Sequence, residues 1–146
     1  MKKFIKFRAY ADPKKRYWVE VRVFDTAKQM RKDIAACGYG MKLKGTEGQV
    51  TSAQFFKNGR KTGVFAVMWL NENVLKSHGM EVVTHESLHA AVRYFERRGW
   101  PVCLALEMRE GSIDTHERWL EERLAYAVGL IARYINRGLF RHKVWK

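Results

Sequence analysis

Tyr17-Trp18-Val19-Glu20-Val21-Arg22-Val23-Phe24 alternates Tyr17, Val19, Val21 and Val23 against Glu20 and Arg22, the two-residue period of a half-buried strand. Thr26 followed by Gln29 has capping-box spacing, and Met30, Ile34 and Cys37 continue at helical intervals, predicting a helix that stops near Gly38 or Gly40. Gln49–Phe56 and Thr62–Leu70 are rich in Val and aromatics, and Asn58-Gly59 between them supplies the positive φ angles of a tight hairpin. A helix is expected to begin between Ser77 and Met80. Its end is marked by Arg97 and Arg98, then Gly99, then Pro101. Leu88, Ala91, Val92 and Phe95 give it an apolar stripe expected to face the core. Val102 to Leu106 reads as strand or connection. A last helix opens at Asp114 with Glu117 behind it and closes at Gly138, its stripe being Leu120, Leu124, Val128, Ile131 and Ile135. The order strand, helix, hairpin, helix, helix predicts an α+β fold, a small mixed sheet packed against the last two helices.

A length of 146 residues and a hydrophobic fraction of 47% make the chain one domain, 1–146, with a sizeable core. The longest uncharged apolar run, Leu124 to Ala132, falls far short of the ~20 residues of a spanning helix, so no membrane association is expected. Met1-Lys2-Lys3-Phe4-Ile5-Lys6-Phe7-Arg8 puts charges where a signal peptide has its apolar region, and Cys37 and Cys103 stand alone. A cytoplasmic location is the expectation, and a cysteine zinc site or disulfide scaffold is excluded. The net charge of +13 will attract polyanions, which raises nucleic-acid association through a basic surface. The basic residues are scattered, however, and fit no recognition motif.

Chemistry enters with His85-Glu86-Ser87-Leu88-His89, an H-E-x-x-H motif inside the predicted helix. Two histidines at i and i+4 project from one face and can both reach a Zn²⁺ ion. Glu86, about 100° further round, points beside such a metal, where it can take a proton from water. Chance would produce the motif in a chain of this composition about 0.01 times, so it carries information. With Leu88 at the centre of the core stripe, His85 and His89 fall on its shoulder and Glu86 further out. A catalytic zinc needs a third protein ligand. Residues 90–115 contain no His, which leaves Asp114, His116, Glu117, Glu121 and Glu122. Glu122 shares a stripe with Ala125 and Gly129, small residues that would admit the motif helix, while Glu121 lies nearer the apolar stripe and stays open.

His85-Glu86-Ser87-Leu88-His89-Ala90-Ala91, followed by Glu122-Arg123-Leu124-Ala125-Tyr126, resembles a small zincin metallopeptidase with a glutamate third ligand. It is similar to the minimal zincin-like proteins of phages and bacteria, including relatives of repressor-cleaving proteases. The resemblance covers about Thr62 to Gly138. It implies a sheet, an active-site helix and a downstream helix whose E-x-x-[A/S] pattern, matched by Glu122 and Ala125, carries the third ligand. A weaker resemblance is to SprT-like proteases, which act on proteins crosslinked to DNA and use a downstream His instead.

The expected function is therefore zinc-dependent hydrolysis of a protein or peptide substrate. His85, His89 and Glu122 would hold Zn²⁺, with Glu121 as the alternative third ligand; Glu86 would be the general base. Tyr126, His116 and Arg93 are candidate donors to the transition-state oxygen, and the strand Thr62–Leu70 is expected to offer its edge to an extended substrate. The rival reading is a basic module that binds nucleic acid or protein and keeps a structural or vestigial zinc site.

Overall fold

The computed structural model describes residues 4–38, 48–102 and 115–145. Four strands form its mixed sheet: β1 (Ile5–Tyr10), β2 (Trp18–Phe24), β3 (Gly48–Ser52) and β6 (Val64–Asn71), in the order β1-β2-β6-β3. The short β4 (Phe56–Lys57) and β5 (Arg60–Lys61) pair separately. Among the described residues three helices accompany them: α1 (Ala27–Ala36), α2 (Glu72–Arg98) and α3 (Thr115–Arg141). The architecture is α+β. β2 and β6 are parallel, and the other sheet pairings are antiparallel. A parallel pair needs a crossover, and α1 lies within this one.

β6 is buried at all eight positions, as the unbroken apolar run Val64–Leu70 requires of a strand covered on both faces. Ala66, Met68 and Leu70 join Val19, Val21 and Val23 in the larger core, which α2 and α3 cover. Val67 and Trp69 point the other way, into a smaller core closed by Met30 and Ile34 of α1. There the Trp69 indole donates to Asp33 Oδ2 at 2.8 Å, and Arg22 bridges Asp33 and Glu20. α1 starts as expected, with Thr26 Oγ1 accepting from the Gln29 N–H, and ends at Cys37 followed by Gly38 at φ +82°.

The hairpin forms about Asn58 (φ 52°) and Gly59 (φ 73°), but its tip pairs as β4–β5 while its stem pairs as β3–β6. β6 is interior to the sheet, with β2 on one side and β3 on the other. The strand with an edge position beside α2 is therefore β3, not Thr62–Leu70. β1 is an additional strand. Its alternation of Ile5, Phe7 and Ala9 with Lys6 and Arg8 follows the strand period, although its charges dominate the sequence.

α2 begins at Glu72, earlier than expected, because Asn71 ends β6 and also caps the helix, its side chain accepting from the Asn73 N–H at 2.9 Å. The start expected between Ser77 and Met80 is instead a kink within the helix: His78 has φ −134° and ψ 34°. The indole of Trp145 lies against Gly79, where a Cβ would meet ring atoms at 2.5 Å, and its N–H donates to the Leu75 carbonyl at 3.1 Å. A side chain thus takes a carbonyl that the interrupted helix leaves open. At the far end Gly99 (φ 69°) terminates α2, and Arg97 donates to the Val64 and Thr62 carbonyls, tying the helix to the start of β6.

α3 runs antiparallel to α2, with Trp145 against Gly79 at one end and Trp119 against Trp100 at the other. Leu120, Leu124, Ala127, Ile131, Ile135 and Leu139 are buried along it, close to the expected stripe. The helix continues past Gly138 to Arg141, because Gly138 is the point of contact with the Phe7 ring on β1 rather than a cap. The expectation that Ala125 and Gly129 admit the motif helix is corrected: both are exposed, and nothing lies within 4 Å of a Cβ built on Gly129. The opening at Asp114 and most of Val102 to Leu106 lie outside the described residues.

The two glycines of α3 should respond oppositely to alanine. Gly138→Ala drives a methyl into Phe7 and should cost about 1–3 kcal/mol. Gly129→Ala fills open space in a helix and should gain up to ~1 kcal/mol. Urea unfolding midpoints should fall for the first and rise for the second; a shift in the same direction for both would contradict this packing.

Candidate functional site

His85 and His89 lie in the middle of α2 on its exposed face, one turn apart. Their Nε2 atoms are 3.1 Å from each other and their ring centroids 4.7 Å. Two nitrogens each at ~2.0–2.1 Å from a tetrahedral zinc stand about 3.3–3.4 Å apart, so this pair fits a shared ion with a small adjustment. Without an ion the contact is a hydrogen bond in which one ring donates its proton to the other. A divalent cation would take the place of that proton.

Partial burial, then the proximity of His85, then that of Arg93, lower the pKa of His89 below the ordinary histidine value. The shift favours the neutral ring with a lone pair to give, the form a metal ligand must have.

Glu86 is on the packed side of α2, only 5% exposed. The expected wheel is corrected here. Leu88 is 43% exposed, and the buried line runs through Val83, Glu86, Ser87, Ala90, Ala91, Tyr94 and Phe95. Leucine suggested the core, but the sheet receives the opposite side of the turn. Glu86 fits because the first residue of β3 has no side chain: a Cβ on Gly48 would stand 3.2 Å from Glu86 Cγ and Cδ and 3.1 Å from the Trp69 carbonyl oxygen. Gly48 is thus part of the site. Its sequence signal is a glycine opening a β-prone segment, where strand propensity disfavours it and close approach explains it.

Arg93 follows His89 by one turn. Its guanidinium bonds Glu96 Oε1 at 2.8 Å, and its Nε is buried without a hydrogen-bond partner among the described residues. Glu122 and Tyr126 are placed elsewhere, in a cleft of about 370 Å³ with Asp12, Tyr94, Trp100, Trp119 and Arg123, beside the C-terminal end of α2. Tyr126 is 54% exposed there, and Glu121 and Glu122 are both exposed. The side chain of His116 lies outside the described set. The structure therefore brings His85, His89 and Glu86 into one neighbourhood and Glu122 with Tyr126 into another. Among the described residues no group of three or more His, Cys, Asp and Glu is placed to hold a metal ion.

No helix among the described residues is long and apolar enough to cross a membrane. No family model, curated protein or solved structure matches the chain.

The His89 environment gives an expectation free of any metal. In the metal-free protein, NMR should find His89 titrating below the ordinary histidine range, and His85→Ala should raise it part of the way, since burial and Arg93 remain. An unchanged His89 titration in that variant would separate the two rings.

Proposed function

We propose that the chain is a zinc-dependent peptidase whose reacting centre lies on the exposed middle of α2. The observation that carries this reading is the His85–His89 pair, 3.1 Å apart through Nε2, with the Glu86 carboxyl on the next position of the same turn and packed against the edge strand. His85 and His89 would hold the ion. Glu122 is the third ligand that the zincin resemblance assigns, with Glu121 as its alternative. Zinc, when bound, supplies Lewis acidity that makes water a competent nucleophile near neutral pH.

Glu86 would accept a proton from water in this reading and return it to the leaving amine nitrogen. Its packing against Gly48 limits the positions of its side chain, which keeps the acceptor in place without making it a ligand. β3, one of the two terminal strands of the described sheet, offers its backbone beside this carboxyl. An extended peptide pairing there would present its amide bonds to the centre.

The binding-module reading draws on the placement of Glu122 in the separate cleft, which leaves the described histidine pair without a third ligand. Substitution divides the two. His85→Ala and His89→Ala should abolish zinc binding measured by elemental analysis, and Glu122→Ala should weaken it strongly. Full occupancy in Glu122→Ala with loss in Glu121→Ala would move the ligand by one residue. Glu86→Gln should retain zinc and lose about 10²–10⁴-fold in cleavage of a peptide library. Equal cleavage by Glu86→Gln and wild type would remove Glu86 from the mechanism, and cleavage surviving complete zinc removal would reject the peptidase reading.

A further inference from the structure

The side of α3 turned away from the core carries Arg133, Arg137 and Arg141 at i, i+4 and i+8, all exposed. None of the three makes an ion pair among the described residues; Arg137 rests on the Tyr134 ring, 6.0 Å from its centroid. No Asp or Glu occurs anywhere in residues 123–146. Most of the other arginines with a described environment are engaged, Arg31 and Arg60 excepted. Arg16 and Arg22 pair with carboxylates, Arg97 bonds backbone carbonyls, and Arg98 and Arg123 stack on Trp100. A row of like charges on one helix face is mutually repulsive, which costs stability unless something neutralises it.

The row lines a shallow groove of about 860 Å³ with Gly129, Ala132 and Phe140. Phe140, 56% exposed, also borders the adjoining groove, where Lys143 continues the basic track while Lys76 is paired with Glu72. Successive arginines are about 6 Å apart along the axis. Each duplex strand carries one phosphate per ~3.4 Å of axis, a charge density that arginines at this spacing can meet. The glycine and alanine leave room for a backbone to come close. A membrane surface fits less well, because an interfacial helix needs a broad free apolar face and the apolar face of α3 is spent on the core.

We infer that this face of α3 is a nucleic-acid contact surface, with Arg133, Arg137 and Arg141 binding sugar–phosphate backbone without reading sequence. The surface is separate from His85, His89 and Glu86, and its function does not depend on the peptidase reading.

The test is fluorescence anisotropy of the full chain with a labelled mixed-sequence duplex of roughly 20 base pairs over a range of salt. Wild type should bind with a log–log salt slope of about −0.9 per phosphate neutralised. Arg133→Gln, Arg137→Gln and Arg141→Gln together should reduce that slope by about 2.7 and weaken binding more than about tenfold at about 50 mM salt. The corresponding triple lysine variant keeps the charge and should retain the slope, which separates contact loss from misfolding. Lys14→Gln, Lys57→Gln and Lys61→Gln remove equal charge from exposed loops and strands elsewhere and should leave the slope nearly unchanged. Equal loss in both glutamine variants, no binding by wild type at low salt, or tighter binding to phosphatidylserine vesicles or poly-glutamate than to the duplex would each overturn the proposal.

Discussion

Everything about the candidate site depends on β6 being buried on both faces. A strand with no solvent side must deliver consecutive side chains to two different cores, so Met68 and Trp69 commit the sheet to helices above and below. The strand then becomes α2 at Asn71 with no loop between them, and Arg97 ties the other end of α2 back to the carbonyls where β6 begins. A helix held at both ends to one strand has little freedom to roll. Its phase decides which chemistry faces where: Glu86 and Ser87 inward, His85 and His89 outward.

That phase sets two polar side chains on the packed face of α2. Glu86 is 5% exposed, and Ser87, fully buried, has no hydrogen-bond partner for its hydroxyl among the described residues. Burying a hydroxyl without a partner works against stability, and an apolar residue at Ser87 would pack at lower cost. Gly48 points the same way, since a strand residue with no side chain weakens the edge of the sheet and here admits a carboxyl. The polar break in the core and the glycine at the edge meet on the packed side of the α2 turns that carry the two histidines.

Much of the fold was legible in the chain. The alternation of Val19, Val21 and Val23, the Thr26 cap, the Asn58-Gly59 turn, the Gly99 stop and the stripe of α3 all act locally, and each appears where its pattern puts it. What could not be read depends on distant partners. Gly138 looks like a helix cap until Phe7 is seen beneath it, and Ser77–Met80 looks like a helix start until Trp145 is seen against the kink there. Leu88 was read as core because leucine usually is, whereas the rolling position of α2 is set by β6. Within the site the histidine pairing was legible from spacing alone. The side on which Glu86 sits and the separate cleft holding Glu122 were not, because both depend on how helices dock.

The central claim is that the two α2 histidines share one ion beside a carboxyl that does not bind it. Zinc X-ray absorption of the zinc-loaded full chain tests it most directly, because the fine structure counts imidazoles and distinguishes oxygen from sulfur around the ion. The account predicts one tightly held zinc with two imidazole nitrogens at ~2.0–2.1 Å, the remaining positions oxygen, and the same spectrum from Glu86→Gln. A sulfur scatterer at ~2.3 Å, a single imidazole, or a first shell altered by Glu86→Gln would contradict it.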